Sequence, residues 1–111
     1  MPNYARATRH MPGRMNALEA RYAERLELER KTGLWQSWAF ETLTLKLAAD
    51  TRYTPDFWCV AADGTLECHE VKGFLRDDAW VKLKVAAAQF PFRFRLVRWH
   101  LKQWTIEEVT P

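Results

Sequence analysis

"YTPDFWCVAADGTLECHEVKG", residues 53–73, sets two strand-like runs on either side of Asp63-Gly64, a dipeptide that favours a tight hairpin turn. The first run, Tyr53–Val60, carries Asp56 directly behind Pro55; the second, Leu66–Gly73, carries Glu70 and Lys72 on either side of Val71. Alternation along a strand points Glu70 and Lys72 to one face and Val71 to the other, where it can pack in a core. His69 points away from Glu70, so it reads as a surface or partly buried histidine and not as a general base.

Parity decides whether Asp56 and Glu70 can meet. A two-residue Asp63-Gly64 loop pairs residues whose numbers sum to 127, which sets Asp56 opposite Val71 and puts the two carboxylates on opposite faces. A three-residue loop, Ala62–Gly64 with Gly64 in the left-handed region, makes the sum 126 and sets Asp56 opposite Glu70. The bulged turn is the one expected. Burying an unpaired carboxylate is costly, so two on adjacent strands call for a cation. Oxygen ligands suit Mg2+ or Mn2+, which use one or two carboxylates, keep several waters and commonly meet a phosphate. An ammonium on the same strand can hold an attacking water or stabilise charge developing on the phosphate, while the ion lowers the pKa of that water.

Outward from the hairpin, the spacing of Met15, Leu18, Tyr22 and Leu26 predicts a helix over Met15–Lys31, with Asn16 as cap and Gly33 at its end. "WQSWAFETLTLKL", Trp35–Leu47, alternates as a strand. After the hairpin, Asp77 or Asp78 caps a second helix running to about Phe90, and Pro91 stops it. "FRFRLV" returns to strand alternation with Phe92, Phe94 and Leu96 inward and Arg93 and Arg95 outward, towards phosphate or solvent. "QWTIEEV" adds an edge strand. The expected fold is α/β, with element order αβββαβ and a mixed sheet of four to five strands flanked by helices.

The chain of 111 residues is 48% hydrophobic, which is matter for one core. We read residues 1–14 as a basic flexible arm and residues 15–111 as a single domain. No run of about 18 apolar residues appears, and no apolar segment follows the N-terminal arginines, so a cytoplasmic protein is expected. Cys59 and Cys68 lack metal-knuckle spacing and read as small buried thiols. The six tryptophans read as core, not as base-stacking platforms. The net charge is +3, with Arg6, Arg9 and Arg14 at one end and a basic stretch from Arg76 to Trp104 at the other, a segregation that favours a polyanionic partner.

"TPDF" followed by "CHEVKG", with an apolar helix and a strand after them, resembles the PD-(D/E)XK nuclease superfamily. The likeness is in particular to its small phage-encoded members and, more loosely, to phage Holliday-junction resolvases. The likeness runs from about Met15 to Val97. It implies a restriction-endonuclease-like fold and Mg2+-dependent (or Mn2+-dependent) hydrolysis of DNA phosphodiester bonds. It places Asp56, Glu70, Val71 and Glu19 around the metal and makes Lys72 the residue that positions water; Asp56, Glu70, Lys72 and Glu19 are thus the candidate catalytic set. Glu19 matches the glutamate that such enzymes often carry on the helix ahead of the sheet. It borders the apolar stripe of that helix, where it either pairs with an arginine of its own helix or is aimed at Asp56 and Glu70; the second reading is preferred. Lys82 and Gln89, seven apart on one face of the second helix, join Lys84 and Arg76 as candidate DNA contacts. DNA is the expected partner of a homodimer acting in phage or prophage DNA metabolism, on branched DNA among other substrates. No membrane and no small-molecule cofactor beyond the metal are expected. The alternative is a DNA-binding accessory protein on the same fold that does not cleave.

Overall fold

The computed structural model of the chain describes residues 13–73 and 77–111. Residues 1–12 of the expected basic arm, Arg6 and Arg9 among them, lie outside the described residues, as does Arg76. The elements are α1 (Ala17–Lys31), β1 (Trp35–Phe40), β2 (Leu45–Ala48), β3 (Thr51–Tyr53), β4 (Phe57–Ala61), β5 (Leu66–Lys72), α2 (Asp77–Gln89), β6 (Arg93–His100) and β7 (Gln103–Val109). Five strands form a mixed sheet in the order β1-β4-β5-β6-β7, in which β5 and β6 are parallel and the other neighbours antiparallel. β2 and β3 form a separate antiparallel hairpin.

The α/β class and the mixed sheet agree with the sequence, but the order αβββαβ does not, because two expected strands each break in two and the edge strand Gln103–Val109 follows β6. Trp35–Leu47 breaks after Phe40, where Glu41 takes a left-handed φ of 51° and turns the chain out of the main sheet. Tyr53–Val60 breaks at Thr54-Pro55: proline has no N–H for the ladder and restricts the residue before it. Asp77 and Asp78 stand at the first and second positions of α2, so neither precedes it as a cap.

α1 begins where Asn16 and Glu19 cap each other. The Glu19 N–H donates to Asn16 Oδ1 at 2.7 Å and the Asn16 N–H donates to Glu19 Oε1 at 2.8 Å. Tyr22, Ala23 and Leu26 bury the inner stripe of the helix, and the turn after it reaches Gly33 at φ 93°. A bulge between Trp35 and Ser37 lets Trp35 and Trp38, three residues apart, share the face that α1 covers. That face holds Tyr22, Leu26, Phe57, Cys59, Val71 and Val97. The opposite face holds Cys68, Phe94 and Leu96 beneath Leu83 and Ala86 of α2, with Leu45, Leu47 and Tyr53 of the β2–β3 hairpin beside them. Each fully buried Phe or Leu here contributes about 2 kcal/mol of transfer free energy. Both cysteines are buried free thiols, and burial pushes Cys68 up to about 12. Gln89 Nε2 donates to the Leu47 carbonyl at 3.1 Å and fastens α2 to β2. Among the described residues no helix is long and apolar enough to cross a membrane.

The β6–β7 turn is strained. Leu101 and Lys102 form a two-residue loop with φ of 51° and 60°, a geometry that suits Asn-Gly and penalises side chains with a bulky Cβ substituent. Replacing Leu101-Lys102 by Asn-Gly is expected to stabilise the chain by about 1 kcal/mol and raise the thermal midpoint by several degrees, read by circular dichroism.

Candidate active site

The β4–β5 turn sets the site. Gly64 sits at φ 90°, and the Ala61 N–H donates to the Thr65 carbonyl at 2.8 Å, which leaves Ala62, Asp63 and Gly64 as the loop. Phe57 pairs with His69 and Trp58 with Cys68, every pair summing to 126, so the three-residue turn expected for a shared site is the one present. One step beyond the last pair, Asp56 falls opposite Glu70.

Asp56 is anchored from both sides. Its backbone carbonyl accepts the Glu41 N–H at 2.9 Å, continuing the β1–β4 ladder, and its Oδ2 accepts the Val71 N–H of β5 at 2.8 Å. Val71 thus packs its side chain under α1, as alternation requires, while its amide holds the aspartate. Glu70 Oε1 accepts the Tyr53 hydroxyl at 2.6 Å, and Glu70 Oε2 lies 3.2 Å from Lys72 Nζ. Asp56, Glu70 and Glu19 are 7%, 6% and 4% exposed, so three carboxylates are taken out of water with one ammonium close by.

The charges act on one another accordingly. Burial first, then Glu70 and to a lesser extent Glu19, push the Asp56 carboxyl up to about 8 against the opposing pull of the Val71 amide. For Lys72, burial would lower the ammonium, but Glu70, Asp56 and Glu19 together outweigh it and hold it above its ordinary value. Burial and Glu70 drive the Tyr53 hydroxyl well above its usual range, so it stays a proton donor.

Glu19 departs from the first reading of it. It makes no helical pair with an arginine, since its Oε1 accepts the Asn16 amide, yet it is buried and its charge reaches Asp56 and Lys72. Among the described residues no three Asp, Glu, His or Cys side chains stand together as a ready ligand set for one ion. A hard divalent cation fits the pair, because Mg2+ or Mn2+ needs only one or two protein carboxylates beside water and phosphate. Asp56 and Glu70 are the side chains that would hold it.

The other candidates separate. Lys82 is exposed, and Lys84 sits 5.7 Å over the Trp80 ring, so neither is drawn into the carboxylate group. Arg93 is exposed as expected and Arg95 half-buried, and both are engaged by carboxylates. They face Glu67, Arg95 Nε at 3.0 Å from Oε1 without hydrogen-bond alignment and Arg93 Nη1 at 3.8 Å from Oε2. His69 is not at the surface but 1% exposed, set 2.7 Å from the Tyr22 hydroxyl and 2.9 Å from Glu67. Two residues escaped the sequence reading. Tyr53 could be found only by knowing that the chain folds back at Pro55. Arg98 pairs in register with Lys72 and by alternation shares its face; the signal was the odd-to-even shift in "RFRLVR", where Arg93 and Arg95 take one face and Arg98 the other.

The chain matches no protein-family model, no curated protein and no solved structure at a significant level.

The raised Asp56 fixes the sign of a pH effect. In the folded chain the proton is held up to about pH 8, whereas an unfolded aspartate releases it near about pH 4. The folded state therefore binds more protons between those limits, and stability falls as pH rises through that window. Asp56→Asn, which keeps an acceptor for the Val71 amide, should melt higher than the wild type at pH 8.5 without divalent cations. The difference should shrink towards pH 4, as followed by thermal melts across pH.

Proposed function

We propose that the chain is a divalent-metal-dependent endodeoxyribonuclease that hydrolyses phosphodiester bonds, with Asp56, Glu70 and Lys72 as its catalytic group. The observation that carries this reading is the burial of Asp56 and Glu70 at one end of the sheet beside the Lys72 ammonium, three carboxylates with Glu19 against that one ammonium among the described residues. The resemblance of "TPDF" and "CHEVKG" to the PD-(D/E)XK superfamily gives the same assignment, and with it a restriction-endonuclease-like fold. A hairpin of β4 and β5 followed by a helical crossover into the parallel strand β6 is consistent with that fold. The site lies at the carboxyl end of the parallel pair β5–β6, where open α/β sheets place their ligands.

The residues divide the work. Asp56 and Glu70 present carboxylate oxygens to a divalent ion, which supplies Lewis-acid activation of the phosphate and of water. The Val71 amide fixes the Asp56 carboxylate, and the Tyr53 hydroxyl does the same for Glu70, so neither has to reorganise as charge develops. Lys72, kept protonated by its acidic neighbours, donates to the attacking water or to a non-bridging phosphate oxygen. Arg98, in register with Lys72 and exposed, contacts the backbone of the bound strand.

Incubation of the protein with plasmid, linear duplex and a four-way junction, with and without Mg2+, tests the reading and sorts its substrates. Lys72→Ala should lower the cleavage rate by about two to three orders of magnitude with DNA binding nearly intact, since it removes one transition-state contact. Glu19→Gln keeps the capping arrangement, which glutamine also satisfies, so its melting temperature should not change. Its activity should fall by about tenfold or more, with more Mg2+ required, if the Glu19 charge serves the ion. Binding without cleavage in any arm would favour the accessory-protein alternative.

A further inference from the structure

The β2–β3 hairpin stands apart from the main sheet and has two unlike faces. Leu45, Leu47 and Tyr53 turn inward onto the α2 side of the core, and Tyr53 carries the hydroxyl that binds Glu70. Lys46 and Arg52 turn outward, both exposed, and the two are direct cross-strand partners. Like charges set directly opposite each other on a two-stranded ribbon destabilise it. Among the described residues neither cation makes an ion pair, so the hairpin bears this repulsion without relief from a carboxylate. Two arginines of β6 provide the contrast, since Arg93 and Arg95 both face Glu67 and Arg93 also pairs with Glu108 at 3.3 Å.

We infer that the outer face of the β2–β3 hairpin is a DNA-backbone grip, with Lys46 and Arg52 each contacting a phosphate of the strand that enters the site. The inference rests on the nuclease reading and adds to it where the substrate lies. Reach supports it. Arg52 precedes Asp56 by four residues, a span of at most about 14 Å of extended chain. At an axial rise of 3.4 Å per nucleotide on one strand, that is about four nucleotide steps, so one DNA segment can meet the hairpin and the carboxylates together. The Tyr53 to Glu70 hydrogen bond ties the two, and the exposed Thr44 and Thr54 hydroxyls, 2.8 Å apart, close the open end of the ribbon. A polyanion laid across the ribbon supplies the negative charge that Lys46 and Arg52 lack.

The test is equilibrium binding of the full chain to a labelled duplex without divalent ions, by fluorescence anisotropy over 50–200 mM salt, so that it does not depend on cleavage. Each phosphate contact contributes about 0.9 to the slope of log K against log salt. Lys46→Gln with Arg52→Gln should therefore flatten the slope by about 1.8, and the wild type should lose roughly tenfold more affinity than the variant across that range. The double variant should melt at the same temperature as the wild type or higher, because a repulsion has been removed, which shows that weaker binding is not unfolding. An unchanged slope overturns the inference, as does a wild type that does not bind duplex. A flattened slope with no cleavage under any condition supports the grip and counts against the nuclease reading alone.

Discussion

Gly64 closes the β4–β5 turn in the left-handed region, and that one residue decides which side chains of the two strands share a face. With three residues in the loop, Phe57, Cys59, His69 and Val71 fall under α1, while Trp58 and Cys68 face α2. The same register sets Asp56 across from Glu70. A turn one residue shorter would have put the aspartate opposite Val71 and turned every inward side chain of one strand to the other side. The rest of the site follows from this pairing: the Val71 amide comes within reach of Asp56, and the Asp56 carbonyl closes the ladder to β1 through Glu41.

Strand β5 buries two glutamates and treats them in opposite ways. Glu67 faces α1 and is compensated. Burial would raise its carboxyl, but the His69 hydrogen bond and the charges of His69, Arg95 and Arg93 outweigh that and bring it below its usual value. The Tyr22, His69, Glu67 and Arg95 chain is a polar interior whose charges offset one another, with the Arg95 Nε close to Glu67 but out of hydrogen-bond alignment. Three residues later Glu70 joins Asp56 and Glu19 with Lys72 as the one cation acting against them among the described residues, and Asp56 is raised. A protein can bury one acid cheaply by giving it cationic partners; the second cluster has hydrogen-bond donors but a single ammonium among the described residues, and a divalent cation with a phosphodiester is the further partner proposed.

Much of this could be read from the residues. Asp56, Glu70 and Lys72 were legible because strand alternation and the Asp-Gly turn need no tertiary information. α1 was legible from Asn16, the apolar stripe and Gly33. The breaks at Glu41 and Pro55 were not, although proline marks the second. Alternation continues through both segments, and only the competition between main sheet and hairpin decides where β1 and β4 leave off. The ion pairs of Arg93 and Arg95 were not legible, because a basic alternating strand reads only as a solvated face. Their acceptor, Glu67, lies on a neighbouring strand far away in sequence. Glu19 was read for its position and not for its capping bond, which the Asn16 spacing itself contained.

The central claim is that Asp56 and Glu70 form a binding site for a divalent cation, and a calorimetric titration of the apo chain with Mn2+ near pH 8 addresses it most directly. The account predicts saturable binding in the wild type that is lost in Asp56→Asn and in Glu70→Gln, while Glu67→Gln, on the other face of the same strand, binds as the wild type does if it remains folded. Equal heats from the wild type and the two site variants would contradict the account, because the carboxylate pair would then be buried for some reason other than the ion.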